Sequence, residues 1–298
     1  MSSLLPVSFV ELPWSGRTLR IEIQRITPRV ARPGAPLLVF LHEGLGSVAM
    51  WREFPQRLCD AAGLPGLVYS RPGYGRSTPR APGESWGPDF MHRQAHEVLP
   101  ALLDALGVDR SANPLWLLGH SDGGSIALLH AARFPDRVGG LIVMAPHVFV
   151  EPKAIESIQQ ARHHYLHTDL KQRLARYHDD ADSAFWGWND IWLHPPFAQL
   201  QIEAELSTIT CPLLAVQGVD DEYGTLEQIH AIQRCLPHTE LLELAQCGHS
   251  PHRDQPERLI DVSTRFIAQH ARLTNSPHTT SSPSHPRLAR AAAPGDAR

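Results

Sequence analysis

Three things are scarce in this chain, and each absence closes a class of function. No stretch approaches the ~20 apolar residues that a membrane span requires. Positive charge is not in excess: 27 Lys and Arg face 31 Asp and Glu, giving a formal charge of −4 and a pI near 6.5. No broad basic surface is therefore offered to nucleic acid. The four cysteines (Cys59, Cys211, Cys235 and Cys247) lie far apart with no CxxC pair, which fits reduced thiols in a cytoplasm better than a disulfide frame. Met1 to Val10 hold no basic segment ahead of an apolar one, and the first cation is Arg17, so a secretory signal is not expected. No internal repeat is visible. What is present is a chain of 298 residues, 42% hydrophobic and 19% charged, long enough to bury a large core and near the upper end for one domain. Its 18 histidines make any single one uninformative until it is placed.

Short apolar runs alternate with helical patterns. Pro36 to Leu41, Gly66 to Tyr69, Leu115 to Leu118, Gly140 to Met144 and Leu213 to Gln217 carry almost no charge, as parallel strands covered on both faces should. Val98, Leu99, Leu102, Leu103 and Leu106 mark one face of a helix. Gly123 to Phe134, Leu226 to Leu236 and Gln255 to Arg272 also read as helices. The alternation predicts an α/β fold, a mostly parallel sheet with helices on both faces. Phe9 to Leu12 and Leu19 to Ile23 alternate apolar and polar residues, predicting an antiparallel hairpin at one edge. Residues 148–206 hold helical but no strand pattern, and Trp186, Trp188 and Trp192 fall there; this reads as a helical lid inserted over the sheet's end. The expected division is a core of 1–147 and 207–273, the lid at 148–206 and a disordered tail at 274–298. The tail's one large apolar residue is a leucine, so it cannot bury enough surface to offset its ordering entropy.

The sharpest chemical signal is Gly119-His120-Ser121-Asp122-Gly123-Gly124, directly after a strand and opening a helix. Small residues at 119 and 123 permit a tight turn that holds the Ser121 hydroxyl clear of the sheet, beside the positive end of a helix. A nucleophilic serine needs a base, and the base an orienting acid. The strand at 213–217 ends in Gly218-Val219-Asp220-Asp221-Glu222, and the strand-like 239–244 is followed by Cys247-Gly248-His249-Ser250-Pro251-His252. The order Ser, Asp, His places each group at the carboxyl end of a strand, the edge where open α/β sheets bind ligands. Ser121 is assigned as nucleophile, His249 as general base and then acid, and Asp221 as the carboxylate that holds the imidazole. Asp220 competes with Asp221, because the sequence does not show which carboxylate points inward. His252 is placed at the surface or behind the base. The loop His42-Glu43-Gly44-Leu45-Gly46-Ser47 should supply one oxyanion donor, the N–H of Gly44 with Glu43 or Leu45 as alternatives; the N–H of Asp122 supplies the other. His42-Glu43 does not open HExxH, since position 46 is Gly. His163, His164 and His167 are read as helical surface residues, so neither metal nor cofactor is expected.

These motifs resemble the α/β-hydrolase superfamily over about residues 8–272, through the GHSDGG turn, Pro72-Gly73-Tyr74-Gly75-Arg76-Ser77, the GVDD loop and CGHSPH. Within it the chain is most similar to the valacyclovirase-type, biphenyl-hydrolase-like serine esterases, through Ser121-Asp122-Gly123-Gly124, Gly44-Leu45-Gly46-Ser47 and Ile155-Glu156-Ser157-Ile158 ahead of the tryptophans. Two departures stand out: Glu43 replaces a small residue, and Ser70 replaces the Asp that often opens the next turn. The resemblance implies that Asp122 recognises the α-amino group of amino-acid esters. A carboxylate ~4 Å from an ammonium gains roughly 4 kcal/mol at an effective dielectric near 20 before desolvation is subtracted. The alternative is that Asp122 complements the helix terminus, worth ~0.3–1 kcal/mol. Glu43 either adds a second anion for a cationic acyl group or pairs with Arg71 or Arg76. Trp186, Trp188 and Trp192 either line an apolar pocket or close the lid's own core.

The leading expectation is a serine carboxylesterase acting on small esters, α-amino acyl esters among them, through an acyl-enzyme. The same fold also serves carbon–carbon bond hydrolases of ring-cleavage products, thioesterases and proline-releasing aminopeptidases, while Ser121 argues against dehalogenases and epoxide hydrolases. A non-catalytic binding protein is the reading from another class. The sequence gives no oligomeric state.

Overall fold

A computed structural model describes residues 7–108 and 114–274; of the tail expected at 274–298, only Thr274, which ends a helix, falls within them. Eight strands form one sheet: β1 (Ser8–Trp14), β2 (Arg17–Ile26), β3 (Leu38–Leu41), β4 (Gly66–Tyr69), β5 (Leu115–His120), β6 (Val138–Met144), β7 (Leu213–Gly218) and β8 (Glu240–Leu244). Their spatial order is β1-β2-β4-β3-β5-β6-β7-β8. β1 and β2 make the expected antiparallel hairpin, closed by Ser15 and Gly16 with φ of 50° and 77°, the positive pair that matches strand twist in a two-residue turn. β2 is antiparallel to β4, and every later neighbour is parallel.

Side chains of the parallel strands alternate strictly between two cores. Val39, Leu41, Leu117, Leu141, Val143 and Ala215 point to one; Leu38, Phe40, Trp116, Leu118, Ile142, Met144 and Val216 point to the other. Period-two alternation with both faces apolar is what helices on both faces require. Each fully buried side chain of this size contributes about 1.5–3 kcal/mol.

The helices are α1 (Phe54–Ala62), α2 (Phe90–Arg93), α3 (Leu99–Ala105), α4 (Asp122–Arg133), α5 (Pro152–His167), α6 (Leu170–Leu174), α7 (Ala181–Trp192), α8 (Glu227–Cys235), α9 (Pro251–Asp254) and α10 (Pro256–Thr274). α1 and α10 lean on one another and cover the second core. Between α2 and α3 the turns widen over Gln94–Val98, just ahead of Pro100, which has no N–H for the ladder. Residues 148–206 hold α5 to α7, two 3-10 turns and an isolated bridge between Phe149 and Gln201. α7 starts on Asp180, whose carboxylate accepts from the Ser183 N–H at 2.8 Å, a cap worth ~1 kcal/mol. Among the described residues no helix is long and apolar enough to cross a membrane.

Candidate active site

β5 runs two residues further than its apolar core suggests, through Gly119 and His120, and α4 begins at Asp122. The single residue between them, Ser121, is driven to φ 54° and ψ −120°, a conformation that carries strain for any residue with a side chain. Packing explains the flanking glycines. A Cβ at Gly119 would lie 2.2 Å from the Gly123 carbonyl oxygen, and one at Gly123 would lie 2.1 Å from that of Leu41. Strand, turn and helix touch backbone to backbone here, and Ser121 is pushed outward as the joint closes.

Asp221 is fully buried and Asp220 is exposed. Asp221 accepts from Gln217 Nε2 at 2.6 Å and from the Tyr223 N–H at 2.8 Å, and both its oxygens lie 2.9 Å from His249 Nδ1. Burial alone would raise its carboxyl, but the hydrogen bond and charge of His249 outweigh it and hold it below the ordinary carboxylate range. For His249 burial pulls the other way, favouring the neutral ring; the bond to Asp221 and the charges of Asp221, Glu222 and Glu43 prevail and raise it. Nδ1 facing a carboxylate carries the proton, which leaves Nε2 as the basic nitrogen.

Around Gly44 the backbone is held as firmly. The Glu43 carbonyl accepts from His42 Nδ1 at 2.7 Å, Arg71 Nη2 at 2.8 Å and the Gly46 N–H at 3.0 Å. Carbonyl and N–H point opposite ways across a trans peptide, so these three donors fix the Gly44 N–H on the other edge. His42 Nε2 accepts from the Arg71 N–H at 2.9 Å, which defines one neutral tautomer; burial, then the charge of Arg71, holds its pKa well below the ordinary value. His178 binds the loop from the opposite side, accepting from the Gly75 N–H at 2.8 Å and donating to the Leu45 carbonyl at 3.0 Å. The Asp122 N–H opens α4 and has no acceptor within the helix.

A cavity of about 240 Å³ joins these parts, with Ser121, His249 and Gly44 in its wall. Met50, Ile158, Leu174, Trp188 and Trp192 form its apolar side; Glu43, Glu222 and Arg253 are its charged groups. His147 also lines it, but burial and the neighbouring His249 push its pKa down to about 3, which makes it a poor base at neutral pH.

Three expectations are corrected. Asp122 does not line the cavity: its carboxylate is buried between Arg71 Nη2 at 3.4 Å and Trp192 Nε1 at 3.1 Å. Burial raises its carboxyl, with those two partners pulling against that. Trp186 faces away, stacked edge-on against Tyr165 and Phe185 under the Arg162 guanidinium. Glu43 does line the cavity, yet its carboxylate pairs with Arg253 at 3.0 Å and lies 3.4 Å from His120 Nδ1, not beside Arg71 or Arg76. Burial alone would raise Glu43; His120, Arg253 and His252 together hold it well below the usual range. His120 in turn donates from Nε2 to the His249 carbonyl at 2.7 Å. Of the two places expected for His252, the structure gives the inner one: it is buried against Trp51 and His120, behind His249. The carboxylate missing at Ser70 comes from β2 instead, where Glu22 accepts from the Ser70 hydroxyl at 2.6 Å. His163, His164 and His167 are exposed on α5, and the described residues contain no metal-holding cluster.

Sequence reasoning considered Arg71 only as a partner for Glu43, and missed His120, His147, His178 and Arg253. Proximity to the serine could have pointed to His120; the others meet their partners in the site from 22 to 210 residues away along the chain, and no local pattern announces them.

Among curated proteins, the chain is 32% identical over 173 residues to a 2-succinyl-6-hydroxy-2,4-cyclohexadiene-1-carboxylate synthase of Enterobacter sp. (strain 638), covering 58% of each. It is 24% identical over 258 residues to a 2-hydroxy-6-oxo-6-phenylhexa-2,4-dienoate hydrolase of Burkholderia cepacia, covering 78% of this chain and 87% of that protein. The proline iminopeptidase of Mycobacterium smegmatis shares the fold, with a TM-score of 0.70 at 20% identity over 90% of this chain and 100% of that one. The family model described as Alpha/beta hydrolase family matches residues 38–262. That span begins with β3 and takes in Ser121, Asp221 and His249 alike, and the chain belongs to the alpha/beta hydrolase family.

Proposed function

We propose that this hydrolase is a serine-dependent esterase that cleaves small carboxylic esters with neutral, apolar acyl groups. One observation carries the reading: a serine forced outward at a helix start shares a cavity with an imidazole whose far nitrogen is 2.9 Å from a buried carboxylate. His249 Nε2 takes the Ser121 proton as Oγ attacks the ester carbonyl. The N–H groups of Gly44 and Asp122 receive the oxyanion, a pair of which each typically supplies 10²–10³ in rate. His249⁺ then protonates the departing alcohol, and a water activated by the same ring hydrolyses the acyl-Ser121 ester. Residues 148–206 act as the lid, contributing Ile158, Leu174, Trp188 and Trp192 to the acyl wall.

Neutral acyl groups are preferred because Asp122, the carboxylate that would greet an α-ammonium, is occupied by Arg71 and Trp192. The test pairs a fluorophosphonate label with two esters of one alcohol, α-amino and des-amino. We expect an adduct on Ser121 and a kcat/KM for the des-amino ester at least equal to its partner. No adduct on folded protein, or turnover of dienoate acids without any ester hydrolysis, would overturn the reading.

A further inference from the structure

Beside the catalytic cavity lies a larger one, about 640 Å³, that the reaction above does not use. The 3-10 turn Val48–Trp51, the start of α1 and α9 enclose it, and Met50 and Arg253 line both cavities. Its walls carry Arg52, Arg57 and Arg253 against one acid, Glu53. Arg57 pairs with Glu257, itself 81% exposed, a pair open enough to solvent to be weak and to exchange partners readily; Arg253 pairs with the mostly buried Glu43.

Arg52 differs from both. Its exposed guanidinium meets no acceptor among the described residues. Its backbone sits at φ 53° and ψ −129°, a region that a residue with a side chain occupies under strain and glycine occupies freely. Glycine would relieve that strain, so the turn itself does not call for an arginine. Under it, Trp51 and His252 form a buried floor, and among the described residues neither Trp51 Nε1 nor either ring nitrogen of His252 has a hydrogen-bond partner. Unmet polar groups of this kind are costly in a bare protein and call for an explanation.

We propose that this cleft binds an oxyanion, phosphate or carboxylate, carried on the leaving group of the substrate. The acyl part then lies against the tryptophans while the alcohol or thiol extends past Met50 and Arg253 to Arg52. Guanidinium forks match the paired oxygens of both anions, and the asymmetry between an apolar acyl side and a basic leaving-group side selects the orientation. The assignment rests on the ester-hydrolase reading and sharpens its substrate class.

The test compares hexyl acetate, 6-acetoxyhexyl phosphate and 7-acetoxyheptanoate on the full chain and on Arg52→Gly and Arg52→Glu. Both variants should raise KM for the charged esters by about tenfold or more and leave hexyl acetate unchanged. Arg52→Gly should do so while raising Tm, a combination that a merely structural arginine would not give. The ester that loses more identifies the anion. An equal change for all three esters, or none, would overturn the assignment. If no ester is turned over, the hydrolase reading fails and the cleft is still tested by calorimetry with hexyl phosphate and heptanoate. Binding abolished in Arg52→Glu would sustain the anion site; absent or unaltered binding would remove it.

Discussion

Asp220 and Asp221 are chain neighbours with opposite fates, and the turn after β7 decides between them. Gly218 brings the strand end so close to the next loop that a Cβ there would lie 2.2 Å from the Cys247 carbonyl oxygen. The chain then folds back with the Asp221 carboxylate capping the N–H groups of Tyr223 and Gly224, an Asx-type turn, while Asp220 points to water. Composition cannot reveal that choice, because either aspartate could begin such a turn. If Asp221 is the orienting acid of the proposed reaction, Asp221→Asn should cut kcat by roughly 10⁴, through the wrong imidazole tautomer, and leave Tm nearly unchanged. The pH profile follows from the raised pKa of His249. The base must be neutral, so kcat/KM should climb with pH through a limb above the ordinary imidazole value near 6.5. Asp221→Asn removes the main group raising it and should move that limb to lower pH; a limb that stays put in the variant would contradict the assigned coupling.

At the level of elements, the strands were the most readable part. An apolar run with both faces buried shows itself in any window, and the structure places β4 at the same four residues that the sequence marks. Tertiary pairing altered the ends: β5 gains Gly119 and His120 because β6 extends alongside as far as Met144. The tryptophans carry a lesson in periodicity. Trp188 and Trp192 are four apart on α7 and share a face, whereas Trp186 is half a turn away from Trp188. That spacing alone could have set Trp186 aside. The pairing of Arg71 with Asp122 spans 51 positions and left no trace in either local pattern. The strand–turn–helix joint has the least tolerance of all. Gly123→Ala would press a methyl against the Leu41 carbonyl, and a denaturation curve should show a loss of about 3 kcal/mol or more, the upper range for overpacking. A variant as stable as the parent would mean that the joint can open. By contrast, Trp192→Phe keeps the apolar wall and deletes the bond to Asp122. It should lower kcat several-fold, by about 1 kcal/mol of transition-state stabilisation, with little change in KM for a neutral ester.

On the scale of the whole molecule, the sheet divides the interior into two cores, and three of the four cysteines are sealed within them. Burial pushes the thiols of Cys59, Cys211 and Cys247 up to about 12, while Cys235 is half-buried on α8. A thiol reagent added to folded protein should therefore modify Cys235 first and the rest only as global unfolding exposes them; four equal rates would show that these cores open easily. Residues 148–206 have a consequence of another kind. Their Trp192 is bonded to Asp122 and their His178 to Gly75 and Leu45, so the stretch that supplies Ile158, Leu174, Trp188 and Trp192 to the cavity wall is wired into both sides of the candidate site. In the language of modules, it is not an interchangeable cartridge. A segment grafted from a relative to alter substrate choice would have to bring an indole and an imidazole to the same two sockets, or the recipient would change its chemistry along with its taste.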